Sequence, residues 1–156
     1  MNMIEIGRVH TPHKIAPGTP IQPSRATGIE GTVIIRPEFS EGLQDLEGFE
    51  RIWLVFFCHR SAEAKMRVIP YRDTVHRGLF STRAPARPNP IGISCVRLGE
   101  INGNRLSVFD VDLLDDTPLL DIKPYVPEYD SHDITRCGWI DSAGSDRSCA
   151  DGRFHE

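Results

Sequence analysis

Two strand-like segments joined by a short turn are the feature that most constrains the fold of this 156-residue chain. Residues 91–101 (IGISCVRLGEI) and 105–113 (RLSVFDVDL) are rich in β-branched and alternating apolar residues, and Asn102-Gly103-Asn104 separates them. Asn and Gly tolerate the positive φ angles that a tight hairpin turn requires. The pattern therefore predicts an antiparallel β-hairpin.

Three further segments indicate strands, at residues 3–9, 31–36 and 51–58. The last (RIWLVFFC) is the most apolar run, and its length and aromatic content suit a buried strand better than a helix. A shorter strand-like piece lies at residues 66–71, and no segment has sustained helical periodicity. We therefore predict a mainly β fold: one antiparallel β-barrel domain with long functional loops, closed or nearly closed so that strand edges are protected.

The expected organisation is a barrel domain over residues 1–140 and a polar tail over residues 141–156, mobile or pinned late in folding. The amino terminus shows no basic leader followed by an apolar run, and no stretch approaches the ~18 apolar residues of a membrane span. These features predict a cytoplasmic protein.

The cysteines show no paired C-x-x-C spacing. Because this spacing is absent, we predict that no metal is bound and that the thiols stay reduced in the cytoplasm. A zinc site built from Cys137, Cys149 and His155 is the alternative.

Positive charge is concentrated in one part of an acidic chain. Residues 59–97 contain eight Lys or Arg and two acidic residues, a net charge of +6, whereas the rest of the chain carries −10. Such asymmetry favours a local anion-binding face on an otherwise repelling protein. A solvated arginine-rich loop is the alternative.

The segment 82–92 (TRAPARPNPIG) is stiff, because three prolines within six residues fix φ and remove backbone donors. Residues that precede proline also favour extended conformations. The segment would present Arg83, Arg87 and Asn89 with little entropy left to lose, as recognition of a polar or charged ligand needs. The alternative is a proline-rich corner with solvent-facing arginines.

Two blocks of the sequence stand out: residues 78–83 (GLFSTR), 87–92 (RPNPIG) and 96–98 (VRL) form the first, and residues 116–125 (DTPLLDIKPY) form the second. Together they resemble the signature of the TsaA-like, or TrmO, family of S-adenosylmethionine-dependent tRNA methyltransferases. Weaker agreement at Ile6-Gly7, Pro20–Pro23 and Trp53-Leu54 extends the resemblance over about residues 3–127.

The resemblance implies a β-barrel methyltransferase that binds S-adenosylmethionine without a Rossmann domain and works as a homodimer. The sequence also lacks a G-x-G-x-x-G loop after a strand, which agrees with this expectation. By matching position, the expected cofactor residues are Pro20, Ile21, Gln22, His59, Arg60, Arg83, Ile93, Asp116, Thr117, Pro118 and Leu119.

The implied reaction transfers a methyl group to N6 of threonylcarbamoyl-adenosine beside the tRNA anticodon. That nitrogen is a poor nucleophile, so its N–H needs a proton acceptor. Asp121 is the first candidate, with Lys123 and Tyr125 orienting the substrate. A purely structural Asp121, closing the turn or paired with Arg87, and a catalytic His59 are the alternatives.

The phosphates and the threonyl carboxylate of this substrate are anionic, which gives Arg72, Arg77, Arg87 and Asn89 an expected role in binding it. The sequence ends soon after the second block, so we expect no counterpart of the extra C-terminal domain of longer bacterial members. Two other functions stay open: methylation of a small molecule by the same fold, and a nonenzymatic regulator that binds S-adenosylmethionine.

Overall fold

Six antiparallel strands close into a barrel in the computed structural model, which describes residues 2–144 and 146–155. The strands are β1 (Gly7–His10), β2 (Glu30–Ile35), β3 (Arg51–Phe57), β4 (Arg67–Val68), β5 (Arg77–Gly78), β6 (Ile91–Asn102), β7 (Arg105–Phe109) and β8 (Thr117–Pro124). The barrel order is β1-β2-β7-β6-β3-β8, closed by pairing of β1 with β8, while β4 and β5 form a separate two-stranded ribbon. The predicted antiparallel barrel is confirmed.

Short helical turns connect the strands. They are 3-10 helices at Pro23–Arg25, Pro37–Leu43, Leu46–Gly48, Leu79–Ser81, Gly138–Ser142 and Gly152–Phe154, and one α-helix, α1, at Pro127–Asp130. In the part of the chain that is described, none of these helices is long and apolar enough to cross a bilayer.

The barrel interior is filled by the inward-facing residues of each strand, because side chains alternate between the two faces of a strand. Branched aliphatic side chains dominate this core, with Ile52, Leu54, Val96, Leu106 and Leu119 completely buried. The predicted core strand 51–58 is β3, which pairs with both β6 and β8.

The hairpin forms between β6 and β7, with a loop of Gly103 and Asn104 in which Gly103 has a φ of +61°. β7 ends at Phe109, four residues before the predicted end, because Asp110 adopts a φ of +68° and leaves the extended conformation. Its carboxylate accepts a hydrogen bond from the Gly28 amide at 2.8 Å, which fixes this departure.

Two predicted strands are shorter than expected. β1 begins at Gly7 and not at residue 3, and residues 66–71 contribute only the two residues of β4. Pro70, which has no backbone N–H, follows shortly after β4.

A second, smaller core joins the proline-rich segment to the tail. Val68, Leu79, Ala84 and Ala86 pack with Phe154, which is 5% exposed. The tail also pairs with the loops that follow β1 and β3, where Ala150 donates to the Thr19 carbonyl at 2.7 Å and Ala62 donates to the Phe154 carbonyl at 2.9 Å. The described part of the tail is therefore pinned; the domain boundary at residue 140 stays a prediction.

The first strand has no room for a side chain at Gly7. A Cβ atom there would lie 2.3 Å from the Ile34 carbonyl oxygen of β2. We predict that Gly7→Ala lowers the free energy of unfolding by about 1–3 kcal/mol, as overpacking does. Gly42→Ala is the matched control, because a Cβ at Gly42 meets nothing within 4 Å. Urea denaturation of both variants tests this, and equal stabilities would contradict the tight β1–β2 contact.

Candidate functional site

A cavity of about 820 Å³ lies beside the barrel, where four loops and the tail meet. Its walls come from the loop after β1, the end of β3, the proline-rich segment with the start of β6, and the segment between β7 and β8. The tail adds Trp139, Ile140, Ala150, Phe154 and His155. Segments far apart in the sequence therefore share one site.

Arg87 holds the proline-rich segment in shape. Its Nη1 donates to the carbonyl oxygens of Thr82 at 3.0 Å, Ala84 at 3.3 Å and Leu79 at 3.4 Å. Its guanidinium also lies 5.7 Å from the ring centroid of Phe80, a cation–π contact. Since prolines remove donors from this segment, Arg87 supplies hydrogen bonds to the carbonyls of Thr82 and Ala84 and adds to those that the Leu79 carbonyl already accepts from Thr82.

Two other arginines connect the cavity wall to the loop after β1. Arg83 Nη1 donates to the side-chain oxygen of Gln22 at 2.8 Å, and Arg60 Nη1 donates to the Lys14 carbonyl at 2.7 Å. Both arginines are exposed at the mouth of the cavity. They place positive charge where an anionic ligand would enter.

Asp112 is the one carboxylate among the described residues that line the cavity. Ser94, which is 2% exposed, donates its hydroxyl to Asp112 Oδ1 at 2.6 Å. Burial raises the pKa of Asp112 to about 6, although the Ser94 hydrogen bond and the charge of Arg83 act in the opposite direction. The cavity thus holds an acid that titrates close to physiological pH.

Cys58 and His59 follow β3 at the cavity wall. Burial, assisted by the charge of Asp112, raises the pKa of the Cys58 thiol to about 12, so this side chain is a neutral thiol at pH 7. Burial and the neighbouring Arg60 lower the pKa of His59 below its usual 6.5. His59 is therefore mostly neutral at pH 7 and has a lone pair that can accept a proton.

The structure brings most of the predicted cofactor residues to this cavity. Those that line it are Pro20, Ile21, Gln22, His59, Arg60, Arg83, Ile93 and Thr117, together with the predicted substrate residues Arg72 and Arg87.

The other predicted residues lie elsewhere in the described structure. Asp116 pairs with Arg8 at 2.6 Å, Pro118 pairs with β1, Leu119 is buried in the barrel, Arg77 pairs with Asp73 at 2.7 Å, and Asn89 is exposed on the proline-rich segment.

The candidate catalytic group lies on the outer face of the barrel. Asp121 stands opposite Val55, which in turn stands opposite Ile93 at the cavity edge. With strands about 4.8 Å apart, Asp121 is roughly 10 Å from Ile93. Its carboxylate pairs with Lys123 Nζ at 2.9 Å and not with Arg87, and the Tyr125 ring contacts Trp53 with centroids 5.9 Å apart.

Sequence reasoning missed two parts of the cavity lining: the pair Asp112 and Ser94, and the residues that the tail contributes. Asp112 and Ser94 lie in strand-like patterns where polar residues read as solvent-facing. Trp139 and Phe154 are isolated in a polar tail, and only their apolar character signals burial there. No three His, Cys, Asp or Glu side chains gather around a point that could hold a metal ion, within residues 2–144 and 146–155.

The family described as the tRNA-methyltransferase O N-terminal domain matches residues 8–131. The chain belongs to this family. A probable S-adenosyl-L-methionine-binding protein of Pyrococcus abyssi is 52% identical over 151 residues, which cover 96% of this chain and 82% of the relative. The tRNA (adenine(37)-N6)-methyltransferase of Mus musculus is 40% identical over 123 residues, which cover 73% of this chain and 28% of the mouse protein.

The barrel is also similar to the crystal structure of TrmO from Pseudomonas aeruginosa, with a TM-score of 0.74 and 36% identity. The match covers 88% of this chain and 62% of that structure. The chain thus spans less than two thirds of the solved TrmO chain and about a quarter of the mouse enzyme.

The buried carboxylate of Asp112 predicts a pH-dependent stability. Because its folded pKa is raised from 3.8 to about 6, the native state binds the extra proton. Stability is therefore lost as pH rises from about 4 through 6, by up to about 3 kcal/mol for a shift of this size. We predict that Asp112→Asn changes the free energy of unfolding of the ligand-free protein more favourably at pH 7.5 than at pH 4.

Denaturation of wild type and variant at both pH values measures the difference. Asp133→Asn, at an exposed carboxylate, is the control for net charge, and we expect its effect to stay within about 0.5 kcal/mol at both pH values. An Asp112→Asn effect that does not change between pH 4 and 7.5 would contradict the burial of this charge.

Proposed function

We propose that this chain is an S-adenosylmethionine-dependent methyltransferase acting on N6 of an adenosine in tRNA, specifically threonylcarbamoyl-adenosine beside the anticodon. The observation that carries the proposal is the convergence of Pro20, Gln22, His59, Arg83 and Ile93 on one cavity. These family positions come from three distant sequence segments, and the family match spans all of them.

The cavity has the size and chemistry that S-adenosylmethionine requires. Its volume of about 820 Å³ lies within the ~300–1,000 Å³ that small-molecule sites usually occupy. Phe56, Ile93 and Leu113 give apolar surface for an adenine ring, and the arginines offer partners for a carboxylate. The residues present therefore fit the cofactor.

When bound, S-adenosylmethionine supplies a methyl group on a positively charged sulfur, and the chain must do the rest. Apolar residues such as Leu113 and Phe56 exclude water from the reacting centre. Among the groups in the cavity wall that can accept a proton, which include Asp112 and His155, we propose His59, neutral at pH 7, as the acceptor.

The mouth of the cavity supports an RNA acceptor over a small neutral molecule. Phe80 is 75% exposed there, and Arg87 lies over its ring. An exposed aromatic beside arginines is typical of sites where an unstacked base lies on a protein ring. Arg72 and Arg83 line the same cavity and would attract the phosphates or the threonyl carboxylate.

The small-molecule methyltransferase and the nonenzymatic regulator predict different behaviour. A regulator would bind the cofactor without consuming it, and the neutral His59 in the cavity favours chemistry instead. Binding of a small neutral acceptor would not need the exposed Phe80 or the net charge of +6 on residues 59–97.

We further propose that the protein acts in the cytoplasm as a homodimer. Ile93 and Phe57 are 48% and 39% exposed, and Val55 lies on the same outer face of the barrel as Ile93. A second copy covering this face would shield apolar surface. Such an arrangement is also what a catalytic Asp121, with Lys123 and Tyr125, would require, because these residues reach an acceptor only from a neighbouring copy.

Incubation of the purified chain with S-adenosylmethionine and tRNA carrying threonylcarbamoyl-adenosine tests the function directly. Mass spectrometry of the digested nucleosides should show the modified adenosine gaining one methyl group. Cofactor binding without methyl transfer to any tRNA would contradict the proposal and support a nonenzymatic regulator. Methyl transfer only to a small acceptor would contradict it and support a small-molecule methyltransferase.

We predict that Phe80→Ala lowers kcat/KM for tRNA by about 5-fold or more, since base stacking contributes about 1–3 kcal/mol per base. The dissociation constant for S-adenosylmethionine should change less than 2-fold. Tyr129→Ala removes an aromatic of 71% exposure outside the cavity and serves as the matched control. If the two variants have the same kcat/KM, Phe80 is not a base platform.

We predict that His59→Asn lowers the single-turnover rate by about 100-fold or more, the usual size of a general-base contribution. The wild-type rate should fall once the pH drops through the lowered pKa of His59, where the imidazole becomes protonated. Asp121→Asn is compared in parallel. A large loss in Asp121→Asn with a near-normal His59→Asn would assign the proton transfer to Asp121.

A further inference from the structure

The charges that line the cavity are unequal in number. Arg60, Arg72, Arg83 and Arg87 bring positive charge, and Asp112 brings the one negative charge among the described lining residues. A ligand with charges of both signs can therefore bind in one orientation better than in the reverse. The carboxylate of such a ligand can pair with any of several arginines, whereas its cationic group can pair only with Asp112 among the described lining residues.

Asp112 is held in place from the barrel side. Ser94 lies on β6 opposite Leu54 of β3, and its hydroxyl donates to Asp112 Oδ1 at 2.6 Å. Because Ser94 is 2% exposed, the serine belongs to the rigid wall and not to a mobile loop. An ionised carboxylate offers about four acceptor sites, so this bond leaves capacity for a ligand.

Among residues 2–144 and 146–155, no cationic side chain forms an ion pair with Asp112. Arg83 lies near enough to influence its charge, but Arg83 donates its Nη1 to Gln22. The neighbouring Cys58 is a neutral thiol. A carboxylate removed from water in this way destabilises the ligand-free protein, and a hydrogen-bonding cation in the cavity would offset that penalty.

We propose that Asp112, oriented by Ser94, binds the ammonium group at the amino-acid end of the cofactor. The inference rests on the proposed function, because it takes S-adenosylmethionine as the ligand. An ammonium provides both positive charge and N–H donors, whereas the sulfonium has no donor and the ribose hydroxyls are neutral. Ser94 is a positioning residue that acts through Asp112.

Two ligands separate this role from a contact to the nucleoside. S-adenosylhomocysteine carries the amino-acid end, and 5′-methylthioadenosine has the same nucleoside without it. For Asp112→Asn we expect calorimetry to give at least 10-fold weaker binding of S-adenosylhomocysteine, equivalent to about 1.4 kcal/mol. Binding of 5′-methylthioadenosine should change less than 2-fold.

The serine provides a second, independent variant. Ser94→Ala should weaken binding of S-adenosylhomocysteine about 3-fold or more with little effect on 5′-methylthioadenosine, and Ser94→Thr, which retains the hydroxyl, should restore it. If Asp112→Asn weakens the binding of both ligands equally, or weakens the binding of neither, the assignment of Asp112 to the ammonium group is overturned. If wild type binds neither ligand, the proposed function fails as well, whereas normal wild-type binding with unselective variants overturns this inference alone.

Discussion

The hydrogen bonds from Arg87 to the backbone of residues 79–84 are the interaction on which the site depends. The proline-rich segment is stiff but poor in donors, and one guanidinium satisfies several of its carbonyls. Held in this shape, the segment inserts Leu79, Ala84 and Ala86 into the second core, where Phe154 covers them. The proline segment and the tail wall of the cavity are thereby coupled, and both depend on Arg87.

The barrel and the loops have separate roles. The barrel core is built from aliphatic side chains that alternate inward on paired strands, and it supplies a rigid wall at Ile93 and Ser94. The loops bring the charged and polar groups to that wall. Asp112 stands where the two meet, and its burial, which raises the pKa of the carboxyl, makes the ionised form unfavourable in the ligand-free fold. Such a penalty is common where a group serves binding rather than stability.

Local pattern was enough to predict the barrel, whereas the residues expected in the cavity came from the family resemblance. The hairpin followed from alternation and a turn rich in Asn and Gly, and the stiffness of the proline segment followed from its composition. The role of Asp112 could not be predicted, because only the departure of the chain from β7 at Asp110 turns it toward the cavity. Phe154 was equally hidden, since its partners, from Val68 to Ala86, lie 68 to 86 residues away in sequence. The placement of Asp121 depended on strand register, which one sequence does not reveal.

We propose that the cavity between β6, the proline segment and the tail holds the cofactor. A crystal structure of the protein grown with S-adenosylhomocysteine tests it most directly. We expect ligand density within this cavity, contacting residues of the Pro20–Gln22 loop and Arg83, with the amino-acid end directed to Asp112. Ligand density on another surface of the barrel, with this cavity filled only by water, would contradict it.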